Sequence, residues 1–517
     1  MKRLSALLLL LGTSLLLYAG TLRGGFVWDD EGLILRKAAF FREPGAAARI
    51  LTSPDMGLYD KPTPYYRPLA TLSFLADQRL WGLRPSIYHA ESVLLHAAAC
   101  VLLYLLLLSA FGDPLLAFFS ALLFAVHPVN AETVSAVFLR NGLLCGVWML
   151  AALLALHRRT RAWTLASLSL YALALLSKEP GAVLPLFLLS FILLEERRLP
   201  EDRLACAGFA AVTAAYLLLR WNAIGVLFTT QPAPPAGERW TLVLSALAEN
   251  FRLAVFPLRL NAMVTPQALG FSAAKAAAGL AALAALLALA LRRETPRPLR
   301  AGALWALWGL LPAANLVPIP SAPVADRYLY LPLMGFALLA GWGLRRLHDR
   351  KAALATAAAF LLAAALGARA FERTRHWRSN TSLFQSMIES DPGNHRARYN
   401  LGMEHMEAGR LDLAAKEWLE CVRLEPSFSN AHNALGNLRA IGGDYPGAKR
   451  HYQKALEQAS MDALTPYNLA VVCDLLGERG EAARNYRLFL EKSGGSPEPR
   501  IQEKAQAARA RLAELSD

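Results

Sequence analysis

Long apolar runs fill most of the first 370 residues and limit what this chain can fold into. Of its 517 residues, 55% are apolar and 18% are charged, and the apolar residues cluster instead of recurring at an amphipathic period. A helix needs about 20 consecutive apolar residues to cross a bilayer, or somewhat fewer where the span is short. The sequence therefore predicts an all-α, polytopic membrane protein.

Eleven segments are predicted to span the membrane. They are, roughly, 4–18, 91–110, 115–126, 143–156, 163–176, 182–194, 204–219, 273–291, 301–316, 329–344 and 352–367. The first is predicted to be an uncleaved helix, because no A-x-A cleavage site follows it. The further apolar stretch 241–258 contains Glu249, Asn250 and Arg252, which disfavour lipid exposure, so it is predicted to be re-entrant or to lie at the membrane surface.

The net charge of +14 comes from short Lys and Arg clusters between these segments. Such clusters are typical of membrane orientation, and eleven spans place all of them on the cytoplasmic side, so no nucleic-acid partner is predicted. The other side then holds 24–90, 127–141, 177–181, 220–273, 315–327 and everything after 368. Most polar motifs of the chain lie in these outer segments.

The C-terminal part repeats with a period of 34 residues. The period relates Leu401, Leu435 and Leu469, the small residues Gly402, Gly436 and Ala470, and the aromatic residues Trp418, Tyr452 and Tyr486. This pattern predicts tetratricopeptide helix pairs. The predicted domains are 1–368 in the membrane with first outer loop 24–90, a linker with a half-repeat helix at 369–396, three repeats at 397–496 and a capping helix at 497–517. The repeats are predicted to be either a structural appendage or a groove for a protein or peptide.

The outer loops carry acids and cations near span ends. Asp29 and Asp30 follow the first span, and further along the chain come Arg67, Glu132, Arg140, Lys178, Glu179, Asp326, Arg327 and Tyr328. Each alone is more often a helix cap or a snorkelling cation. Together on one membrane face, cations suit a lipid-phosphate leaving group, and a carboxylate suits a general base toward a hydroxyl.

No metal site is predicted. His89, His96 and His127 show no ligand spacing, and neither Cys421 nor Cys473 belongs to a CxxC pair. A departing phosphate can be stabilised by cationic side chains, so the chemistry requires no cofactor, and a divalent metal is not needed.

The ordered motifs resemble a known family. WDD after the first span, YRPL in the first loop, HPV-x-x-E-x-V, LLSKE and ADRYLYLP, followed by the repeats, look like the transmembrane and tetratricopeptide-repeat-containing (TMTC) O-mannosyltransferases, which are GT-C glycosyltransferases. The resemblance covers nearly the whole chain and is weakest from 200 to 300. It implies a GT-C helical bundle and inverting transfer of a sugar, mannose in this family, from a polyprenyl-phosphate donor to a hydroxyl acceptor such as protein Ser or Thr.

The resemblance also assigns roles to residues. Asp29 matches the catalytic acid of the related WDE motif and is favoured as base over Asp30, which would orient donor or acceptor, while Glu132 would bind acceptor or sugar. Donor phosphate ligands would be Arg140, Lys178, Arg327 and Arg67, with Arg327 favoured. Supporting residues would be Glu179, Asp326, Tyr328 and His127. We predict that Asp29, Arg140, Lys178 and Arg327 line one cavity.

Three other hypotheses about the function remain open. An oligosaccharyltransferase-like or O-antigen-ligase-like enzyme would use the same lipid chemistry on a longer glycan. A membrane-anchored repeat scaffold would not need Asp29 and Asp30, and a transporter would place charges at mid-membrane depth. The short loops favour a bacterial inner membrane, with repeats and active site on the periplasmic side and an acceptor protein or glycan held by the repeat groove.

Overall fold

The computed structural model describes residues 2–53, 65–194, 200–226, 235–317, 319, 322–458, 464–494 and 499–516. These residues form helices joined by turns, with one isolated β-bridge between Val264 and Val324. The all-α prediction is confirmed. The chain divides into two compact units, which we call the membrane unit (Met1–Leu383) and the C-terminal unit (Phe384–Asp517).

The helices of the membrane unit follow the predicted apolar segments. They are α1 (Arg3–Tyr18), α2 (Ala38–Arg42), α3 (Ala46–Thr52), α4 (Pro68–Trp81), α5 (Pro85–Phe111), α6 (Pro114–Val126), α7 (Asn130–Ser135), α8 (Arg140–Leu156), α9 (Arg161–Ser177), α10 (Leu184–Leu194), α11 (Pro200–Ile224), α12 (Ala236–Val255), α13 (Pro266–Leu269), α14 (Ala273–Leu291), α15 (Arg297–Leu310), α16 (Pro332–Arg350), α17 (Ala352–His376) and the start of α18 (Asn380–Ser390). Short 3-10 segments at Val137–Leu139, Glu179–Val183 and Asp326–Leu329 interrupt this order, and the site is built on them.

Several of these helices can cross a membrane. Among the described residues, six are long and apolar enough: Arg3–Arg23, Pro85–Phe111, Val137–Leu156, Ala205–Ile224, Ala273–Leu291 and Ala352–His376. Two shorter apolar helices lie at Pro114–Val126 and Glu179–Leu194. The chain is a multi-pass membrane protein, and the count of eleven spans stays a prediction. The basic pair at 197 and 198 lies outside the described residues.

Glycines allow close helix packing in the membrane unit. A side chain at Gly341 of α16 would come within 2.1 Å of Ser120 Oγ on α6. One at Gly335 would come within 2.5 Å of the Gly302 carbonyl oxygen on α15. Small residues at helix contacts are typical of membrane bundles, where apolar lipid provides no hydrophobic drive between helices and van der Waals packing matters more. Large apolar side chains such as Leu8 and Leu16 of α1 stay exposed, as expected of surfaces that face lipid.

The C-terminal unit consists of consecutive helices. They are the end of α18, then α19 (His395–Glu407), α20 (Leu411–Leu424), α21 (Ser429–Ile441), α22 (Tyr445–Glu457), α23 (Leu464–Leu475), α24 (Arg479–Ser493) and α25 (Pro499–Ser516). The 34-residue period has a packing basis, because a side chain at Gly402 would come within 2.3 Å of Trp418, and one at Gly436 within 2.6 Å of Tyr452. Identification of these pairs as tetratricopeptide repeats stays a prediction.

Candidate active site

The WDD segment forms a tight turn after the first helix. Trp28 has a left-handed backbone with φ of 55°, which is uncommon for a bulky residue. Asp30 closes the turn, since its Oδ2 accepts the Val27 N–H at 3.0 Å and its Oδ1 accepts the Phe138 N–H at 2.6 Å. The WDD turn is thereby tied to the 3-10 segment Val137–Leu139.

Asp30 differs from its prediction. Its side chain is fully buried, and both carboxylate oxygens accept backbone hydrogen bonds. Burial raises the pKa of Asp30 to about 7, although the N–H groups of Val27 and Phe138 oppose the shift. Asp30 therefore has no oxygen directed at a donor or acceptor, and its position suits it to shape the turn that presents Asp29.

Asp29 is the accessible acid of the turn. Its side chain is partly exposed, and within the described part of the chain no hydrogen bond or ion pair involves its carboxylate. Burial raises the pKa of Asp29 to about 6, and the nearby charge of Arg327 lowers it. A free carboxylate with a pKa near neutrality matches what a general base requires.

Arg327 lies beside Asp29 and is held by Glu132. The backbone N–H of Arg327 donates to Glu132 Oε2 at 2.8 Å, and Nη1 donates to Oε1 at 2.7 Å and to the Ala262 carbonyl oxygen at 2.7 Å. The guanidinium carbon stands 5.8 Å from the ring centre of Trp28 and 5.1 Å from that of Tyr328. Arg327 is thus fixed next to the WDD turn.

Glu132 is paired with Arg327. It is fully buried on α7, and both of its oxygens accept hydrogen bonds from Arg327. These bonds suit Glu132 to position Arg327, and its contact with an acceptor or sugar stays a prediction. The resemblance suggested a substrate contact, and only the three-dimensional arrangement revealed this pairing over 195 positions of sequence.

Asp326 supports the same segment from the other side. Its Oδ1 accepts the Asn261 N–H at 3.1 Å, and its Oδ2 accepts from Arg373 Nη2 at 3.0 Å. Tyr328 donates its hydroxyl to the Ala322 carbonyl oxygen at 3.1 Å. The buried pair of Asp326 and Arg373 therefore fixes the 3-10 turn that carries Arg327.

Lys178 provides an unpaired cation. It follows the last residue of α9, and a side chain at Gly142 would come within 3.3 Å of its Nζ. Among the described residues, no carboxylate or carbonyl oxygen pairs with this ammonium group. Burial, together with the positive charges of Arg67 and Arg327, lowers the pKa of Lys178 to about 8. Binding of an anion would relieve this repulsion.

Two arginines share the carboxylate next to Lys178. Arg67 donates Nε and Nη2 to Glu179 Oε2 at 3.0 and 2.8 Å, and Arg220 donates Nη1 to Oε1 at 3.2 Å. Burial alone would raise the pKa of Glu179, but the two arginines hold it below its usual range. With Lys178, three cations surround one carboxylate, so this part of the site is electropositive.

Arg140 lies in a different cluster from these groups. It is fully buried, and its Nη1 pairs with Asp77 at 2.6 Å and with Glu91 at 3.0 Å, while Nη2 donates to the Tyr88 carbonyl oxygen at 3.2 Å. Its guanidinium also lies 4.8 Å from the ring centre of Phe74. These contacts occupy both terminal nitrogens of Arg140, and its place in the same cavity as Asp29 and its binding of phosphate stay predictions.

Replacing Arg140 with methionine is expected to destabilise the protein. The change leaves the buried Asp77 carboxylate without its main partner, and breaking a buried pair in this way costs about 3–5 kcal/mol. Thermal unfolding in detergent should show a clear drop in melting temperature. Arg49→Met, which removes a pair with Glu43 that is more than half exposed on the arginine side, should change it little. Equal melting of the two variants would contradict the structural role of Arg140.

The ring of His127 makes its hydrogen bond outside this group of charged residues. It is buried at the end of α6, where its Nδ1 accepts the Val129 N–H at 3.4 Å. Burial lowers the pKa of His127 to about 4, so the ring is neutral. We regard it as part of the loop that leads to Glu132.

Sequence reasoning missed several residues of the site. Arg220, Arg373 and Asn380 are far in sequence from the motifs that they contact. The sequence did contain a signal for Arg220, because an arginine inside an otherwise apolar membrane helix costs free energy unless it has a partner. Nothing in the local sequence distinguishes Asn380.

No family model matches the chain. Curated relatives include protein O-mannosyl-transferase F38B6.6 of Caenorhabditis elegans, 27% identical over 82% of this chain and 63% of the relative. Human protein O-mannosyl-transferase TMTC1 is 26% identical over 83% of this chain and 56% of the relative. The chain is therefore similar to these protein O-mannosyl-transferases over most of its own length. It spans between about half and two thirds of the length of these relatives.

The likeness of this chain to solved structures is looser. Archaeal oligosaccharyltransferase AglB from Archaeoglobus fulgidus, in complex with an inhibitory peptide and a dolichol-phosphate, covers 77% of this chain and 59% of its own at 15% identity and a TM-score of 0.44. ArnT from Cupriavidus metallidurans, bound to undecaprenyl phosphate, covers 99% and 90% at 14% identity and a TM-score of 0.42.

Proposed function

We propose that this chain is a membrane glycosyltransferase that moves one sugar, mannose, from a polyprenyl-phosphate donor to a hydroxyl acceptor, with inversion at the anomeric carbon. One observation carries the proposal: the carboxylate of Asp29 and the ammonium of Lys178, neither of them paired with a described residue, both lie close enough to the anchored Arg327 to feel its charge. The TMTC relatives, which are named protein O-mannosyl-transferases, support the choice of sugar and a protein Ser or Thr acceptor.

The proposed reaction is a single displacement. The acceptor hydroxyl gives its proton to Asp29, its oxygen bonds to the anomeric carbon, and the bond from that carbon to the phosphate oxygen breaks. The departing polyprenyl phosphate gains negative charge, which Lys178 and Arg327 stabilise. Arg67 adds positive potential to the site, and Glu132 and Asp326 keep Arg327 in place.

Transfer by purified protein tests the proposal. The full chain in detergent or vesicles is incubated with polyprenyl-phosphate mannose and Ser/Thr peptides, and products are identified by mass spectrometry. Matched reactions contain polyprenyl-phosphate glucose, nucleotide-linked mannose or a lipid-linked oligosaccharide. Transfer only from the oligosaccharide would favour an oligosaccharyltransferase-like enzyme, and transfer from none of them would favour a scaffold.

We further propose that the active site and the C-terminal unit face the extracytoplasmic side, the periplasm in a bacterial inner membrane. In intact cells, an impermeant thiol reagent is expected to label Gly494→Cys, while Glu294→Cys, in the turn between α14 and α15, is labelled only after lysis. The reason is the positive-inside bias around residues 292–300. Labelling in the reverse order would contradict this orientation.

A further inference from the structure

A residue far along the chain binds the backbone before Asp29 and a side chain after it. Asn380, the first residue of α18, accepts the Trp28 N–H with its Oδ1 at 2.7 Å and donates Nδ2 to Glu31 Oε1 at 2.6 Å. We propose that Asn380 is a positioning residue of the active site, which sets the direction of the Asp29 side chain. The inference rests on the proposed function in so far as Asp29 is the base.

The backbone of Trp28 needs such support. A left-handed conformation of a bulky residue is disfavoured and persists only where its surroundings over-determine it. The Trp28 ring packs on Trp377 with 6.3 Å between ring centres and meets Phe138 edge-on at 5.8 Å. Asn380 adds the hydrogen bond that fixes the peptide plane between Val27 and Trp28, one peptide before that of Asp29.

Two side chains together hold the WDD turn in place. Asp30 binds the Val27 and Phe138 N–H groups, and Asn380 binds the Trp28 N–H and the Glu31 carboxylate. Residues on each side of Asp29 are therefore fixed, while its own carboxylate accepts no hydrogen bond from the described residues. A rigid support under a free functional group is what preorganisation of a base requires.

Glu31 gives this contact an electrostatic consequence. Its carboxylate is a second negative charge two positions after Asp29, and the amide of Asn380 holds it in one place. If that amide became a carboxylate, Glu31 would be repelled, and the added charge would favour the protonated form of Asp29. The contact thus affects both the geometry of the turn and the proton affinity of Asp29. A residue that only stabilised the fold would not change that proton affinity.

The first variant is Asn380→Asp, which keeps the acceptor for Trp28 N–H but loses the donor to Glu31. We expect kcat to fall at least about 10-fold with the KM for donor changed by less than about 2-fold. The acid limb of the pH profile should move to higher pH. Gln385→Glu, on an exposed position of the same helix, adds the same charge and should leave both unchanged.

The second variant exchanges the partners. Asn380→Asp combined with Glu31→Gln restores a donor and an acceptor with the original total charge, so we expect kcat and the pH profile to return to within about 3-fold and a few tenths of a pH unit of the original. A folded double variant as slow as Asn380→Asp overturns the proposal. An unfolded double variant also overturns it, since the exchanged pair should support the turn equally well.

A measurement independent of transfer separates this inference from the proposed function. Carbodiimide modifies protonated carboxyl groups, so its rate at Asp29, located by mass spectrometry and normalised to the exposed Asp412, reports protonation of Asp29. Asn380→Asp should shift the midpoint to higher pH, and the double variant should restore it. An unchanged midpoint and rate would overturn the positioning role, whereas the expected shift in a protein without transfer would overturn the glycosyltransferase proposal alone.

Discussion

Replacing Asp29 with asparagine is expected to lower kcat by at least about 100-fold, the effect of losing a positioned general base. The substitution is nearly isosteric, and the Asp29 side chain accepts no hydrogen bond from the described residues, so folding should be preserved. The measurement is transfer from polyprenyl-phosphate mannose at saturating donor and acceptor. Donor KM should change little, because the proposed phosphate contacts are made by Lys178 and Arg327 and not by Asp29.

The same residue predicts a pH dependence. A base acts when deprotonated, and burial raises the pKa of Asp29 to about 6 from an ordinary value near 4. Turnover should therefore be full above this value and fall about 10-fold per pH unit below it. Asp29→Asn should abolish this acid limb along with the rate.

Two comparisons sharpen the test. Asp30→Asn removes charge from a buried group whose oxygens bind Val27 and Phe138, so its main expected effect is lower thermal stability. Asp412→Asn changes an exposed acid of α20 and should be neutral. Undiminished turnover in Asp29→Asn, or a larger kcat loss in a fully stable Asp30→Asn, would contradict the assignment of Asp29 as the general base.

Replacing Lys178 with glutamine is expected to lower kcat/KM for the donor by about 100- to 1,000-fold, the range for losing one group that stabilises developing negative charge. Lys178 has no counter-ion among the described residues, so the loss of its charge should not cost folding stability. Relief of its repulsion with Arg67 and Arg327 could even raise the melting temperature. Kinetics with varied donor and direct binding of polyprenyl phosphate measure the effect.

The matched controls for Lys178 are a distant lysine and a larger cation. Lys416→Gln, on an exposed position of α20, should have no effect. Lys178→Arg keeps the charge, but Gly142 packs against the Nζ position, so a guanidinium should fit poorly and rescue only part of the rate. Normal donor kinetics with a changed acceptor KM in Lys178→Gln would place Lys178 at the acceptor instead.

The site also explains why neighbouring charged residues should differ in effect. Arg327 and Glu132 form a buried ion pair, so either single change removes that pair and combines lost activity with lost stability. Lys178 and Asp29 lack such partners in the described structure and should separate activity from stability. Side chains whose replacement lowers activity alone are those that face substrate. Side chains whose replacement also lowers stability are those that hold neighbouring groups in place.

The amino-acid sequence by itself determined the helices and the membrane character. Apolar runs predict spans because a bilayer requires backbone groups to be satisfied within each helix, and helices cover most of each of the eleven predicted segments. The 34-residue period similarly reflects local packing of small residues such as Gly402 on aromatic residues such as Trp418. These features can be predicted from the sequence because they arise from contacts within a segment or between consecutive helices.

The tertiary structure alone decided which polar residues share a site. Arg140 and Lys178 look alike as cations near span ends, yet Arg140 is neutralised by Asp77 and Glu91 while Lys178 stays unpaired. Asp29 and Asp30 are adjacent, but the direction of the backbone buries one and exposes the other. Partners of buried charges come from residues such as Asn380, 349 positions from Glu31, and a side chain's availability depends on those partners, which no local pattern records.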